Sequence, residues 1–273
     1  MVVTLKKEVK ITGNGLMKNK PCEVTLFPSN TGEIRYFVKG NDYFAANCDN
    51  VIATDHCVVL GNKKSKAMLT EHITAALAFC HIDSVDICMT EEEVPILDGS
   101  SKQWVEAFKN AGIDKPMFAK EKKYTVSEPV YYLNGKTSFV ILPDKELFIS
   151  YAVNYDHPQE VRRFVNYNPK NPDEIIEART FGFYRDLKKY QMLGFAQGAN
   201  IDNTLGFMDD GSYSTDLRSD SEPIKHKMLD LIGDLYLTGI NPLDLKCQIL
   251  AKEAGHAVHI KTAKILKDKI IEI

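Results

Sequence analysis

The chain has 273 residues, of which 34 are basic and 37 acidic, giving a formal net charge of -3. This balance lacks the basic footprint that binds polyanions, so a nucleic-acid-binding role is disfavoured. Hydrophobic residues make up 44% and charged residues 26%, which excludes disordered and collagen-like classes. A chain of this length can bury a substantial core, in one large domain or two modest ones.

No window approaches the ~18 consecutive apolar residues of a membrane span. The N-terminal residues also lack the apolar stretch of a signal peptide, so we expect a cytoplasmic protein without a transmembrane segment. The six cysteines form no C-x-x-C pair, and we expect them to be reduced.

Alternating residues in the first 39 positions predict an antiparallel meander of strands. From Glu71 the apolar residues fall three and four apart, which predicts a helix. The segment SVDICM then reads as a strand, and a second helix is expected from near Ser100, since Ser is a good N-cap.

Residues 112–123 have the composition of an inter-domain connection, after which the pattern restarts. Three strand-like runs precede helices near 183–193, 222–238 and 256–269. Strands followed by helices therefore occur twice. The sequence predicts an α+β fold of two similar domains, 1–118 and 124–273, each a mainly antiparallel sheet packed with helices, with the active site at their interface.

The segment IKHKMLDLIGDLYL places His226, Asp230 and Asp234 four residues apart, on one face of a helix that is otherwise largely apolar. Burial of these groups requires compensation. A zinc ion held by His226 and Asp230 would provide it, and so would a hydrogen-bonded His-Asp pair without a metal. The spacing leaves both alternatives open.

Two other histidines lie beside helix starts. His72 follows Glu71, in the order of a ligand beside a general base, although the same pair could be a solvated helix start. His256 follows Gly255 and is a candidate general acid or an ordinary surface cap. The remaining histidines have weaker context, and we expect His259, one turn beyond His256, to be exposed. One His from the first half with a His and an Asp from the second would make a catalytic zinc site with an open fourth position.

The order of these motifs resembles the UDP-3-O-acyl-N-acetylglucosamine deacetylase family of Gram-negative bacteria, whose members are zinc amidases of lipid A and lipopolysaccharide biosynthesis. The resemblance extends nearly end to end. The segments that carry it are LTEHITAALAFCHID, EVPILDGSSKQWVE, ARTFGFYRDL, KHKMLDLIGDL and AGHAV.

The resemblance implies a role for each matching residue. The zinc ligands would be His72, His226 and Asp230, with Glu71 as general base. His256 would act as general acid, with Asp234 holding its orientation. Thr180 and Phe181 of ARTFGF and Lys227 would contact substrate, the Thr180 hydroxyl binding the oxyanion. A β-α-β insert within the second domain would form the acyl-chain passage, with Leu187, Phe195, Ala196 and Ile201 in its wall.

The implied reaction is hydrolysis of the N-acetyl group of UDP-3-O-acyl-N-acetylglucosamine to acetate and a free amino sugar nucleotide. We expect one zinc ion, with iron(II) as an alternative metal, and a monomer. Met17, Asn200 and His259 depart from the family pattern and bear on acyl-chain length and sugar contacts. Three alternatives stay open: a zinc amidase acting on another N-acetylated sugar nucleotide, a non-catalytic sugar-nucleotide-binding homologue, and a metal-free His-Asp core.

Overall fold

The computed structural model describes residues 2–116, 122–167 and 171–273. A run of strands precedes the first helix, and helices and strands are interspersed along the rest of these ranges. The helices are α1 (Glu71–Phe79), α2 (Lys102–Ala111), α3 (Asp173–Ile176), α4 (Tyr184–Met192), α5 (Glu222–Tyr236) and α6 (His256–Leu266). None of these described helices has both the length and the apolar character needed to cross a bilayer.

The first large sheet has the strand order β2-β3-β9-β4-β5. Its strands are β2 (Val9–Asn14), β3 (Pro21–Pro28), β4 (Ile34–Val38), β5 (Phe44–Ala45) and β9 (Val85–Met89). The predicted meander is wrong at one point, because β9 lies between β3 and β4 and runs parallel to β4. Two parallel neighbours need a crossover connection, and α1 lies in it.

The second large sheet has the order β12-β13-β18-β14-β15, which repeats the pairing pattern of the first. Its strands are β12 (Val130–Asn134), β13 (Thr137–Pro143), β14 (Phe148–Val153), β15 (Arg163–Tyr167) and β18 (Cys247–Lys252). Here too the late strand, β18, is central and parallel only to β14. The predicted α+β class, with mainly antiparallel sheets packed with helices, is confirmed.

The remaining strands of the described residues are short. They are β1 (Thr4–Leu5), β6 (Val51–Ala53), β7 (Val59–Gly61), β8 (Lys66–Met68), β10 (Ile113–Asp114), β11 (Tyr124–Val126), β16 (Phe181–Phe183), β17 (Leu205–Phe207) and β19 (Ile270–Glu272). The predicted connection at 112–123 is structured at its start, since β10 pairs with β1. Its residues 117–121 lie outside the described ranges.

Helices α1 and α5 pack against each other at the centre of the molecule. Ala and Leu in α1 are strong helix formers, and the backbone of α1 near Ala75 approaches Gly233 of α5 closely. Helix α5 begins with a proline in its first turn, where a missing N–H costs nothing. One continuous cluster of buried apolar residues joins both helices to both large sheets.

Candidate metal centre and active site

Three candidate ligands meet where the N-terminal turn of α1 faces the middle of α5. His226 Nε2 lies 3.4 Å and His72 Nε2 3.8 Å from Asp230 Oδ1. Ligand atoms of the three residues all lie within 4.8 Å of one another, and all three side chains are buried. The i, i+4 spacing on α5 and the packing of α1 thus bring together residues from distant parts of the chain.

The chemistry of this group fits a metal ion. His226 Nδ1 lies 3.0 Å from the carbonyl oxygen of Ala178 and can only donate to it, which leaves the Nε2 lone pair facing Asp230. Burial, together with the neighbouring His226, lowers the pKa of His72 to about 3, so that imidazole is neutral. Asp230 Oδ1 is buried without a hydrogen-bond partner among the described residues. A bound cation would satisfy it, and two imidazoles with a carboxylate suit zinc.

Glu71 lies beside this group, with one carboxylate oxygen held by a backbone N–H and the other facing His256. The backbone N–H of Val58 donates to Glu71 Oε2 at 3.0 Å. Glu71 Oε1 faces His256 Nε2 at 3.7 Å. Burial raises the pKa of Glu71 to about 7, with the charge of Asp230 adding to the rise and His256 opposing it. The carboxylate is therefore oriented toward the cluster and held in surroundings that make it more basic.

His256 is the first residue of α6 and also lies beside the three candidate ligands. Its Nδ1–H donates to Asp234 Oδ2 at 2.8 Å, while its Nε2 lies 3.9 Å from Asp230 Oδ2. Burial opposes ionisation, but the carboxylates of Asp234, Asp230 and Glu71 outweigh it and raise the pKa of His256 to about 9. This imidazole can therefore carry a proton at neutral pH.

Lys227 supplies a further positive charge. Its ammonium donates to Asp230 Oδ2 at 2.6 Å and lies 5.8 Å from the centre of the Phe181 ring. Burial opposes both charges, yet Lys227 holds the pKa of Asp230 well below its usual range and Asp230 raises that of Lys227. Asp230 therefore has one oxygen bound to an ammonium and the other open toward the imidazoles.

The segment that carries Thr180 is fixed by hydrogen bonds on both sides. Thr180 N–H donates to the carbonyl oxygen of Gly99, and the Thr180 carbonyl accepts from Leu205 N–H, both at 2.8 Å. The preceding Arg179 makes a bidentate pair with Glu222, through Nε at 2.8 Å and Nη2 at 3.0 Å. Sequence reasoning missed this buried pair, because neither charge has a partner nearby in sequence.

Residues 181–207 form a β-α-β unit in which β16 and β17 are parallel. Leu187 is half-buried on α4, and Ile201 is 61% exposed in the loop before β17. A cavity of about 250 Å³ lies between this unit and the β6–β8 region, with Met17, Ile52, Cys57 and Phe195 in its wall. Leu187 and Ile201 do not line that cavity. Cys57 of the cavity wall precedes Val58, whose backbone N–H donates to Glu71.

The prediction that His259 is exposed is wrong, since its side chain is fully buried. Its Nδ1 lies 2.8 Å from Asp234 Oδ2, the same oxygen that accepts from His256. The periodicity offered a signal, because residues three apart on a helix share a face. The burial itself comes from Tyr151 and Phe139 of the second sheet, whose rings lie 6.2 and 5.6 Å from the imidazole.

A buried His-His-Asp group with an adjacent carboxylate and imidazole is the arrangement of a metal-dependent hydrolase. The sequence profile of the UDP-3-O-acyl N-acetylglycosamine deacetylase family matches residues 3–268, and the chain belongs to that family.

Curated relatives named UDP-3-O-acyl-N-acetylglucosamine deacetylase are similar over nearly their full lengths. The chain is 35% identical to the Chlamydia muridarum protein, over 98% of this chain and 94% of the relative. It is 32% identical to the Leptospira biflexa protein, over 98% and 90%. The Campylobacter jejuni protein is 33% identical, over 98% and 92%.

Proposed function

We propose that this chain hydrolyses the N-acetyl group of UDP-3-O-acyl-N-acetylglucosamine to acetate and UDP-3-O-acyl-glucosamine, the committed step of lipid A biosynthesis. The observation that carries the proposal is the convergence of His72, His226 and Asp230 beside Glu71 and His256. Family membership supplies the substrate class, and these five side chains supply the means of amide hydrolysis.

The proposed cofactor is one zinc ion held by His72, His226 and Asp230, with iron(II) as the alternative metal. A bound zinc ion lowers the pKa of water to about 7 and polarises a carbonyl, which supplies both the nucleophile and the electrophile of amide hydrolysis. Two neutral imidazoles and one carboxylate are a donor set that would hold such an ion.

Protein groups would carry the protons of the reaction. Glu71 accepts a proton from the attacking water, since its Oε1 faces the cluster while Val58 anchors Oε2. His256 donates a proton to the leaving amine from Nε2, with Asp234 holding Nδ1. The Thr180 hydroxyl donates a hydrogen bond to the oxyanion that develops as the carbonyl is attacked. One water is consumed, and acetate and the free amine are released.

The remaining substrate contacts are proposed from the family resemblance and the surface beside the cluster. Lys227 and Phe181, which lie together, would contact the substrate next to the acetyl group. The acyl chain would run along the β-α-β unit, past Leu187 and Ile201. Phe195 of the same unit supports this direction, because it lines a largely apolar cavity with Met17 and Ile52 that suits an alkyl chain, although Leu187 and Ile201 lie outside that cavity.

The organisation around the site is also part of the proposal. Residues 1–118 and 124–273 would form two domains, with the active site between them; their common strand order supports this division. We propose that the enzyme works as a cytoplasmic monomer.

The direct test measures acetate release from UDP-3-O-acyl-N-acetylglucosamine over several acyl lengths. The purified protein is assayed as isolated, after chelation, and after zinc or iron(II) is added back. We expect activity that chelation removes and metal restores. A protein that retains stoichiometric metal but releases no acetate from any of these substrates would overturn the proposal. UDP-N-acetylglucosamine without the acyl chain serves as the matched substrate control.

A further inference from the structure

Asp234 accepts hydrogen bonds from two imidazoles through a single oxygen. His256 Nδ1 and His259 Nδ1 each lie 2.8 Å from Asp234 Oδ2. Asp234 and His259 are fully buried, and His256 is 9% exposed. Because a carboxylate oxygen accepts and cannot donate when ionised, both Nδ1 atoms must carry protons. His256 and His259 are thus held one turn apart on α6 by a common acceptor on α5.

The far side of His259 is anchored as well. Its Nε2 lies 3.2 Å from the Tyr151 hydroxyl, which also lies 2.7 Å from the carbonyl oxygen of Ala254. The hydroxyl has one proton to share between these two acceptors, and its ring is fully buried in the second sheet. Tyr151, His259, Asp234 and His256 therefore form a continuous row that runs from the sheet to the reactive cluster.

The other oxygen of Asp234 explains why this row of residues controls the orientation of His256. Asp234 Oδ1 is buried without a hydrogen-bond partner among the described residues. The two imidazole N–H groups on Oδ2 are therefore the bonds that set the rotation of the carboxylate. If one is removed, Asp234 can turn its unpaired oxygen toward the remaining donor, and the ring of His256 follows. A shift of the ring changes the 3.7 Å separation between His256 Nε2 and Glu71 Oε1.

We propose that His259 is a positioning residue for the reaction: through Asp234 it fixes the imidazole of His256 in the orientation that delivers its proton. This inference rests on the proposed function and extends it to a residue that touches neither substrate nor metal. It assigns a role to a position at which this chain departs from the family pattern. Tyr151 has the further role of fixing the ring of His259.

Two substitutions at the same position separate positioning from packing. His259→Asn places an amide N–H where Nδ1 stands, so the hydrogen bond to Asp234 is kept although ring volume beside Tyr151 and Phe139 is lost. His259→Leu fills more of the space but has no donor. Positioning predicts that Asn preserves turnover and Leu does not, whereas stability should favour Leu or leave the two variants equal.

The experiment measures kcat, KM, bound metal and thermal midpoint for wild type and both variants of the full-length enzyme. We expect His259→Leu to lower kcat about tenfold or more, with KM and metal content unchanged. A positioned general acid contributes ~10²-fold or more to the rate, and this variant should lose part of that contribution. His259→Asn should stay within about threefold of wild-type kcat. Equal kcat in the two variants, or activity that follows the thermal midpoint, would overturn the inference.

A second variant covers the case in which His259→Leu does not fold. Tyr151→Phe removes one hydroxyl and keeps the ring, and it should lower kcat less than His259→Leu does, with metal retained. The Nδ1–H proton of His259, followed by NMR in histidine-labelled enzyme, should stay shielded from solvent in wild type and exchange faster in Tyr151→Phe. If Tyr151→Phe changed neither the exchange rate of this proton nor kcat, the proposed coupling from Tyr151 through His259 to His256 would be contradicted. Inactive wild-type enzyme would instead count against the proposed function itself.

Discussion

Gly233 of α5 packs directly against the carbonyl oxygen of Glu71 in α1. A Cβ atom at residue 233 would lie 2.2 Å from that oxygen and 3.2 Å from the backbone nitrogen of Ala75. The obstacle is backbone, which cannot turn aside as a flexible side chain can. The absence of a side chain at this one position therefore sets how closely the helix of Asp230 approaches the helix of His72.

Gly233→Ala should force α1 and α5 apart. We expect a loss of about 1–3 kcal/mol in the free energy of unfolding, as for other overpacked cores, together with weaker metal retention and lower turnover. Urea unfolding and metal analysis of the same preparation check this. Gly182→Ala is the stability control, because a Cβ there meets nothing within 4 Å. Unaltered stability and metal content in Gly233→Ala would show that the close approach is dispensable.

Substitution of the proposed ligand His72 and of the proposed base Glu71 should have opposite effects on metal content. His72→Ala removes an imidazole from the cluster and should lose metal and activity together. Glu71→Gln keeps the shape and the bond from Val58 but cannot accept a proton, so metal should stay while turnover falls by about 10²–10⁴. Metal analysis and acetate release on the same samples test the pair. Near-normal turnover in Glu71→Gln would remove Glu71 from the role of base.

The hydroxyl of Thr180 is the proposed oxyanion donor. Thr180→Val keeps the shape without the hydroxyl and should lower kcat by about 10²–10³, as losing one such donor does elsewhere. Thr180→Ser keeps the hydroxyl and serves as the matched control, with a much smaller loss. The unfolding free energy should change little in either variant, since the backbone bonds to Gly99 and Leu205 are kept. Similar kcat values for the two variants would argue against a direct contact.

The Arg179–Glu222 pair should make the free energy of unfolding depend on pH in the acid range. Burial opposes ionisation of Glu222, but the hydrogen bonds and charge of Arg179 outweigh it and lower the pKa of Glu222. A carboxyl whose pKa is lower when folded binds fewer protons in the folded state, so its stabilising contribution is complete above its unfolded pKa of ~4.3. That contribution is lost as pH falls through the folded-state pKa.

Glu222→Gln should therefore be less stable by about 3–5 kcal/mol at neutral pH, because it leaves Arg179 buried without its charge partner. The difference from wild type should shrink as pH falls below ~4. Urea unfolding across this range measures it. Asp42→Asn, which breaks the exposed pair with Lys64, is the control and should change little at any pH. A constant difference across the range would refute the assignment.

The cavity wall predicts a dependence on acyl length. Phe195→Ser removes apolar surface from the wall and should raise KM about tenfold or more for long-chain substrates, since each buried methylene is worth ~0.8 kcal/mol. Short-chain substrates should be little affected. Leu193→Ser, at an exposed position two residues away that does not line the cavity, is the matched control. Equal effects on short and long chains would place the acyl group elsewhere.

Local patterns predicted the parts of this molecule that local physics determines. The four-residue spacing of His226, Asp230 and Asp234 correctly placed them on one face of a helix, because helical geometry alone decides that relationship. The predicted start of the last helix near His256 is confirmed for the same reason. The α+β class followed from runs of period-two and period-3.6 residues.

Such local patterns do not determine which distant segments of the chain pair with each other. The insertion of β9 between β3 and β4 depends on where α1 returns the chain, and a two-residue period is the same for either neighbour. His259 looked polar and peripheral because its partners, Asp234 and Tyr151, come from another helix and another sheet. The Arg179–Glu222 pair was missed likewise, since neither charge has a partner nearby in sequence.

The contact between α1 and α5 also bears on when the protein can mature during synthesis. The stretch between His72 and Asp230 makes up more than half of the 273 residues. A nascent chain that has just completed α1 holds one proposed ligand and none of the others, so it has no site of useful affinity. At the proposed site, metal capture would have to wait until α5 has emerged and folded against α1.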